Sequence, residues 1–364
     1  MESSYDNMHS LDVNTAWDNF CEGVEITPSA FDEGPSADAA PAPKCSDIYI
    51  STKTKIAYLN SPINLSEVFW EIPVMPYHMQ REGIVKKQMK FNSMSKEELD
   101  ANTDKASKYD YVDEYVITRI INPEGRIKFK DVRKVSIGLC KKDITSYRCK
   151  KKSAFYNCFV IIVRLLNGDA YKEIHVKVFN TGKLEIPGIQ CDSTLTQVLE
   201  LLTKILSPLV KSDEPLSYSP HNETVLINSN FNCGYFIDRE KLYDILKYRY
   251  KINSAYDPCS YPGIQCEFYY DNKLSEQTGR HPPADHDGEG IVKVSFMIFR
   301  TGSILIVGKC TDEILLEIYA FIKTLLESEY KNVGGRCIDS QIASPAKKKR
   351  KIRKKIVIIK ETTN

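Results

Sequence analysis

Apolar and polar residues alternate at the strand period in several stretches of the chain, and turn residues separate these stretches. The run FVIIVRLL at Phe159–Leu166 predicts a strand, and Asn167 and Gly168 after it predict a tight hairpin turn. Tyr171–Phe179 is then the partner strand. Beyond the next strand the apolar period lengthens, and STLTQVLELLTKIL predicts an amphipathic helix that ends at Leu206.

This pattern of strand, turn, strand and helix occurs twice. Val176–Leu206 contains VKVFNTGKLEIPGIQ, and Phe296–Leu326 contains FMIFRTGSILIVGKC, at a constant offset of 120 residues without a gap. The matching positions are Phe179, Thr181, Gly182, Ile186 and Gly188 in the first copy and Phe299, Thr301, Gly302, Ile306 and Gly308 in the second. A repeat of this length predicts two similar halves related by a pseudo-twofold axis.

The elements before the repeat also match between the halves, at an offset of 174 residues. Asp47–Leu59 predicts a strand, and Asn64–Ile72 predicts a short helix with Asn64 as its N-cap. In the second half Thr224–Asn232 predicts the strand and Ile237–Leu246 the helix. Each half is therefore expected to run strand, helix, three strands, helix.

The first half carries 54 extra residues, within about 73–153. The run GIVKKQMKF beginning at Gly83 predicts a strand, SKEELDANTDKA a polar helix, and a β-rich segment with PEG as its turn follows. Because insertions usually lie at the surface, we expect this one to lie outside the duplicated core.

Strand alternation assigns the side chains of each half to two faces. The face expected to meet the helices carries Ile174, Val176, Val178, Leu184 and Ile186, and in the second half Val292, Val294, Phe296, Ile298, Ile304 and Ile306. The opposite face, called the open face below, carries His175, Lys177, Phe179, Lys183, Glu185 and Pro187, and in the second half Lys293, Ser295, Met297, Phe299, Ser303, Leu305 and Val307. An open face with exposed apolar and basic side chains predicts a partner. The alternative is that the Phe side chains lie under a neighbouring loop or the insertion.

Composition adds two charged ends to this picture. The apolar fraction of 42% is enough for a core, and the net charge is only +2. Nine acidic residues and one lysine occur up to Ser46, in a segment expected to be disordered, although Trp17, Phe20 and Phe31 leave a partner-binding role open. Nine Lys or Arg residues occur from Lys347 to Lys360, a weak indication of a polyanionic partner.

Several classes of site are not indicated. Eleven scattered cysteines without a CxxC pair predict reduced thiols in an intracellular protein. No apolar run reaches the roughly 18 residues of a membrane span. His281 and His286 lack a third spaced ligand, so no metal or other cofactor is expected. The chain has no P-loop and no GxSxG motif, so the sequence does not predict an enzyme.

The paired motifs resemble the TATA-box-binding protein family. FNTGKLEIPGIQ and IFRTGSILIVGKC are similar to the family's FxSGKxxxTGA turn, and YDPCSYPGI is similar to its YEPExFPGL segment. With its insertion, the chain resembles the divergent versions carried by large nucleocytoplasmic DNA viruses. The resemblance implies an α+β fold, a duplicated saddle with a curved antiparallel sheet and helices on the convex face. The expected segments are an acidic tail (1–46), a first repeat (47–210) with the insertion, a second repeat (211–333) and a polybasic tail (334–364).

The family bends DNA through the minor groove with four aromatic wedges. The resemblance places wedges at Phe155, Phe179, Tyr261 and Phe299, with Phe159 as the alternative to Phe155. Contacts to the groove or backbone would come from Lys177, Lys183, Lys293, Arg300, Leu305, Val307 and Lys309. The chain departs from the family at Glu185, Pro187, Glu267 and Val307, and Asn228 and Asn230 lie near the family's groove-reading Asn pair without a certain register. A relaxed or altered sequence preference is therefore expected.

The resemblance implies a transcription initiation factor that binds and bends AT-rich promoter DNA, with a factor IIB-like protein and an RNA polymerase as partners. Two alternatives stay open: an architectural or protein-interaction module without sequence-specific DNA binding, and an accessory domain of a nucleic-acid enzyme. The basic run at Lys347, Lys348, Lys349, Arg350 and Lys351 resembles a nuclear localisation signal, and a DNA-binding arm explains it equally well. The expected location is the nucleus or a cytoplasmic viral factory.

Overall fold

The computed structural model describes residues 41–145, 155–212, 214–283 and 288–337, and it confirms the predicted α+β class. These residues form two compact units. The first unit comprises residues 54–223, and the second comprises residues 224–337 together with residues up to Lys53. The residue pattern does not indicate that the segment before Lys53 groups with the second half of the chain.

The first unit contains an antiparallel sheet and helices. Its strands are β1 (Tyr49–Tyr58, from Thr54 onward), β2 (Gly83–Ser93), β3 (Val112–Ile121), β4 (Phe129–Gly138), β5 (Cys158–Asn167), β6 (Ala170–Phe179) and β7 (Lys183–Ile189). Its helices are α1 (Leu65–Glu71), α2 (Lys96–Ala106), α3 (Lys141–Thr145) and α4 (Asp192–Leu206). The spatial order of the strands is β1-β7-β6-β5-β2-β4-β3.

The second unit repeats this order of elements without the insertion. Its strands are β8 (Glu223–Asn232), β9 (Tyr235–Ile237), β10 (Asn253–Ala255), β11 (Ile264–Asp271), β12 (Ile291–Ile298), β13 (Ser303–Gly308) and β14 (Gly334–Cys337). Its helices are α5 (Arg239–Asp244), which continues into a π-helical turn (Ile245–Arg249), and α6 (Asp312–Val333). The spatial order of the strands in its main sheet is β10-β11-β12-β13-β8. Strands β9 and β14 form a separate two-stranded sheet.

Several helices begin at residues whose side chains cap them. The Asn64 side chain accepts a hydrogen bond from the Glu67 N–H, which confirms the predicted N-cap of α1. Asp238 caps α5 in the same way. Thr311 caps α6, and this helix runs for 22 residues because its apolar positions keep the helical period.

The predicted division of side chains between the two faces is confirmed on the helix side. Val176, Val178, Leu184 and Ile186 are fully buried in one cluster with residues of α1 and α4. The corresponding second-unit residues Val294, Phe296, Ile298, Ile304 and Ile306 are at most 1% exposed and pack with residues of α5 and α6. Each unit therefore has its own core between sheet and helices.

The expectation that the insertion lies outside the core is wrong. Strand β2 pairs directly with β5, with Met89 opposite Phe159, and β4 pairs with β2. Ile84, Met89 and Ile137 belong to the same buried cluster as the strands of the repeat. The β5 edge has unpaired backbone groups, and the inserted strands satisfy them by extending the sheet.

Candidate nucleic-acid interface

An apolar patch occupies the open face of the second unit. It consists of Leu226, Met297, Phe299, Leu305 and Val307, with Tyr261 packed against it, and it is called the second-unit patch below. Strand pairing sets these side chains next to one another, because Met297 is opposite Leu305 across β12 and β13. Alternation thus produces a second apolar surface on the side of the sheet away from the core.

The members of this patch are more buried than the sequence predicted. Phe299 is 5% exposed, Val307 5% and Leu305 8%. The ring of Phe299 packs against Tyr261, with centroids 6.0 Å apart, and lies over Gly263, whose missing side chain makes room for both rings. The expectation of exposed apolar side chains is therefore wrong for these residues, because neighbouring strands hold them in mutual contact.

Two asparagine amides border the patch. Asn228 is opposite Val307, and Asn230 is opposite Leu305, so both side chains lie on the open face. Their amide groups donate hydrogen bonds to Thr52 (3.2 Å) and Ser51 (2.7 Å), and the buried side-chain oxygen of Asn228 has no hydrogen-bond partner within the described part of the chain. The sequence left the register of these asparagines relative to the family's Asn pair open, and the pairing with β13 places both on the open face.

The predicted basic contacts of the second unit differ in their surroundings. Lys293 pairs with Glu267 at 3.1 Å, whereas the side chains of Arg300 and Lys309 are exposed. Although partial burial raises it, hydrogen bonds from Tyr269 and Lys293 hold the pKa of Glu267 below its usual value. The acidic side chain that departs from the family pattern is thus neutralised within the sheet.

Each Phe that ends the third repeat strand is held by a tight turn. The N–H of Gly182 donates to the Phe179 carbonyl at 3.0 Å, and the N–H of Gly302 donates to the Phe299 carbonyl at 3.0 Å. Both glycines have positive φ, +81° and +75°, which side-chain-bearing residues rarely adopt. The Thr-Gly sequence of both motifs is explained by this turn.

The open face of the first unit is more polar than that of the second. Lys183 lies 5.8 Å from the Phe179 ring centroid, and Lys177 lies 5.6 Å from that of Phe155. Lys177 also forms an ion pair of 2.5 Å with Glu185, which is 6% exposed. This pair balances the charge of Glu185, one of the residues at which the chain departs from the family pattern.

Part of the first unit's open face is covered by the chain itself. The Arg164 guanidinium donates to the carbonyls of Tyr77 and Met79 at 2.8 and 3.0 Å, and Ile162 packs with Met75 in a small buried cluster. The other end, with Phe155 and Phe179, carries no helix among the described elements. A ligand of the first unit therefore has access at the Phe179 end of the sheet.

The structure decides some of the remaining assignments. Phe159 is fully buried in the helix-side core, so the alternative wedge is wrong, whereas Phe155 is 50% exposed beside Lys177. Cys158 and Cys266 are buried free thiols. The basic run at Lys347 and the acidic tail before residue 41 lie outside the described residues.

The described residues contain neither a candidate metal site nor a helix that could span a membrane. No cluster of His, Cys, Asp or Glu there could hold a metal ion. None of the helices described is long and apolar enough to cross a membrane.

Comparison with known proteins agrees with the resemblance inferred from the motifs. The chain is 27% identical over 208 residues to a "TATA-box-binding protein-like" protein of Acanthamoeba polyphaga mimivirus, a match that covers 52% of this chain and 53% of the relative. The chain thus matches about half the length of that curated relative. It is also similar to the solved structure of Methanococcus jannaschii TBP, with 13% identity and a TM-score of 0.38, over 78% of this chain and 99% of that one. No protein-family model matches.

Proposed function

We propose that the chain binds duplex DNA with the open faces of its two units, bends it through the minor groove and acts in transcription initiation. The observation that carries the proposal is the second-unit patch, an apolar cluster on the side of the sheet opposite the helix-side core, with Tyr261 packed against it and two amides beside it. The name of the mimivirus relative supports the same function.

The chemistry of the patch suits the minor groove. A·T pairs present only acceptors there, and asparagine amides supply donors at Asn228 and Asn230. Apolar side chains such as Leu305 and Val307 contact the sugar and base edges without needing hydrogen bonds. A duplex that is opened by an inserted ring loses a few kcal/mol of stacking per step, and contact with the ring and the patch offsets this cost.

The predicted wedge residues differ in how deeply their side chains are buried. The degree of burial determines which of them can be truncated without unfolding the protein. Phe299 is 5% exposed, and its truncation would cost the fold about 3–5 kcal/mol. Phe155 is 50% exposed and Phe179 is partly exposed, so a double substitution to Ala costs the fold less. Tyr248, 69% exposed in the π-helical turn of the second unit, offers a matched control away from the open face.

The test measures binding of an AT-rich duplex by fluorescence anisotropy. Each aromatic–base contact is worth about 1–3 kcal/mol, so F155A/F179A should weaken binding at least tenfold, and Y248A should bind like the wild type. Circular dichroism and thermal melting confirm that each variant is folded. If a folded F155A/F179A protein binds with wild-type affinity, the wedge assignment in the first unit is wrong. If the wild type does not bind duplex DNA, the chain is better explained as a protein-interaction module.

The initiation partners belong to the same proposal. The resemblance implies a factor IIB-like protein and an RNA polymerase, and surfaces outside the open faces would bind them. Leu316, 53% exposed on α6, is one apolar residue available there. The absence of complex formation between DNA-bound protein and those partners would restrict the proposal to DNA binding.

A further inference from the structure

The inserted strands lengthen the open face of the first unit. Alternation places Lys90 of β2 and Lys130 and Lys134 of β4 on the side of the sheet opposite the core, because their neighbours Met89, Phe91 and Val135 are core residues. The covering helix α2 lies on the core side, since Ala106 belongs to the same buried cluster. The insertion therefore adds basic side chains to the face that carries Phe155 and Phe179.

The register connects these lysines to the predicted wedge. Cys158 of β5 is opposite Phe179, and Lys134 is opposite both Lys90 and Tyr115. Since Met89 is opposite Phe159, Lys90 is the next residue in line with Cys158. One row of side chains across the strands contains Lys183, Phe179, Cys158, Lys90, Lys134 and Tyr115.

Aromatic and basic side chains alternate along this part of the face. The Lys90 ammonium lies 3.7 Å from the centroid of the Tyr156 ring, which is 56% exposed, and Lys177 lies over Phe155. Carboxylates on the face include Glu185, which pairs with Lys177, Glu173, which pairs with Arg164, and Asp113 on the outer strand. Interleaved lysines and exposed rings form a surface complementary to a nucleic-acid backbone.

We infer that Lys90, Lys130 and Lys134 of the inserted strands bind backbone phosphates of a duplex beyond the segment contacted by the repeat strands. This inference rests on the proposed DNA binding. Strands lie about 4.8 Å apart, so β2 and β4 extend the face by about 10 Å beyond β5. At about 3.4 Å per base pair, that distance corresponds to roughly three additional base pairs.

Two triple variants test the inference. K90Q/K130Q/K134Q removes the three charges on the open face, and K96Q/K105Q/K108Q removes three exposed charges on or just after α2, in the same insertion. Both variants lose the same net charge. A difference in DNA binding between them therefore shows the effect of where the lysines lie. Binding of AT-rich duplexes of about 10 and 20 base pairs is measured over a series of salt concentrations.

Each lost phosphate contact should reduce the slope of log K against log salt by about 0.9. We expect K90Q/K130Q/K134Q to lower the slope by about 2–3 on the long duplex and to change it little on the short one, while the control variant keeps the wild-type slope. Because Lys90 is nearly buried, K130Q/K134Q provides a second variant, with an expected change of about 2.

Hydroxyl-radical footprinting gives an independent readout. The wild type should protect roughly three more base pairs on one side than the triple variant does. If the triple variant and the control show equal slopes and equal footprints while the wild type binds DNA, the inference is wrong and the proposed function stands. If the wild type does not bind duplex DNA, both fail.

Discussion

One glycine determines the turn after each repeat Phe. Gly182 adopts φ +81°, and a Cβ there would lie 2.6 Å from the Ser61 carbonyl oxygen. The same backbone conformation recurs at Gly302, where a Cβ would meet the Tyr235 carbonyl oxygen. The turn holds the open-face aromatic residue at the end of its strand, so its stability and the position of the ring are linked.

Gly182→Ala should therefore destabilise the protein by about 1–3 kcal/mol, because the left-handed conformation is strained for alanine and the methyl group meets a carbonyl. Urea denaturation measures the change. The exposed neighbour Thr181→Ala serves as the control and should differ from the wild type by less than about 0.5 kcal/mol. Equal stability of Gly182→Ala and the wild type would show that the turn does not require glycine.

Sequence reasoning located these turns because Thr-Gly pairs at a fixed offset report a backbone requirement directly. For the fourth wedge it ranked Phe155, the better placed across the hairpin from Phe179, above Phe159. The choice depends on the alternation of β5, which buries Phe159 on the helix side. It also missed the burial of Leu305 and Val307. Their side chains are buried by residues of other strands, and the alternation of apolar and polar residues within one strand does not report such contacts.

A lysine of the insertion links α1 to strand β2 through hydrogen bonds. Lys87 of β2 is fully buried, and its ammonium donates to the carbonyls of Trp70 (3.2 Å) and Ile72 (2.8 Å) at the end of α1. It also bonds the Tyr109 hydroxyl at 3.1 Å and lies 4.2 Å from that ring's centroid. A lysine in an apparent surface insertion gave no sequence signal for this role.

Burial lowers the pKa of Lys87 from the ordinary 10.5 to about 7. Above pH 7 the unfolded chain therefore binds more protons at this residue than the folded chain. The contribution of Lys87 to the free energy of unfolding should rise with pH, by at most about 1.4 kcal/mol per unit. Urea titrations between about pH 6 and 8.5 test this.

Lys87→Met should remove that rise, and Lys96→Met, at an exposed position of α2, should retain it. Cysteines that ionise in the unfolded chain towards pH 8.5 affect the wild type and both variants alike, so the comparison between the proteins isolates Lys87. Equal pH dependence of the wild type and Lys87→Met between pH 7 and 8.5 would contradict the assignment.

The strands β7 and β13 are equivalent in order but differ in chemistry. On their open faces β7 presents Lys183 and Glu185, whereas β13 presents Leu305 and Val307. The second unit is therefore expected to make the more apolar contact with DNA, and the first unit the more ionic one.

Lys183→Gln should reduce the slope of log K against log salt by about 1. Val307→Thr, which keeps the shape and adds a hydroxyl, should weaken binding without changing that slope. Binding measured over a series of salt concentrations separates the two effects. Equal changes of slope in both variants would show that the two strands do not divide the contacts in this way.

For the whole molecule, the sequence predicted the order of elements in both halves because the repeat supplies each element twice. Its account of the insertion was wrong, since pairing of β2 with β5 is a long-range contact that local periodicity does not report. The grouping of the segment up to Lys53 with the second unit also depends on long-range contacts, so local periodicity did not predict it.

The proposed function requires the open faces to bend duplex DNA. The most direct measurement is the end-to-end distance of an AT-rich duplex carrying a donor and an acceptor dye, by resonance energy transfer, with the wild type, F155A/F179A and Y248A. We predict a shortened distance with the wild type and Y248A. With F155A/F179A at concentrations that saturate binding, we predict a distance between theirs and that of free DNA, because Phe299 and Tyr261 of the second unit remain. Saturated binding by the wild type with no shortening would contradict the account.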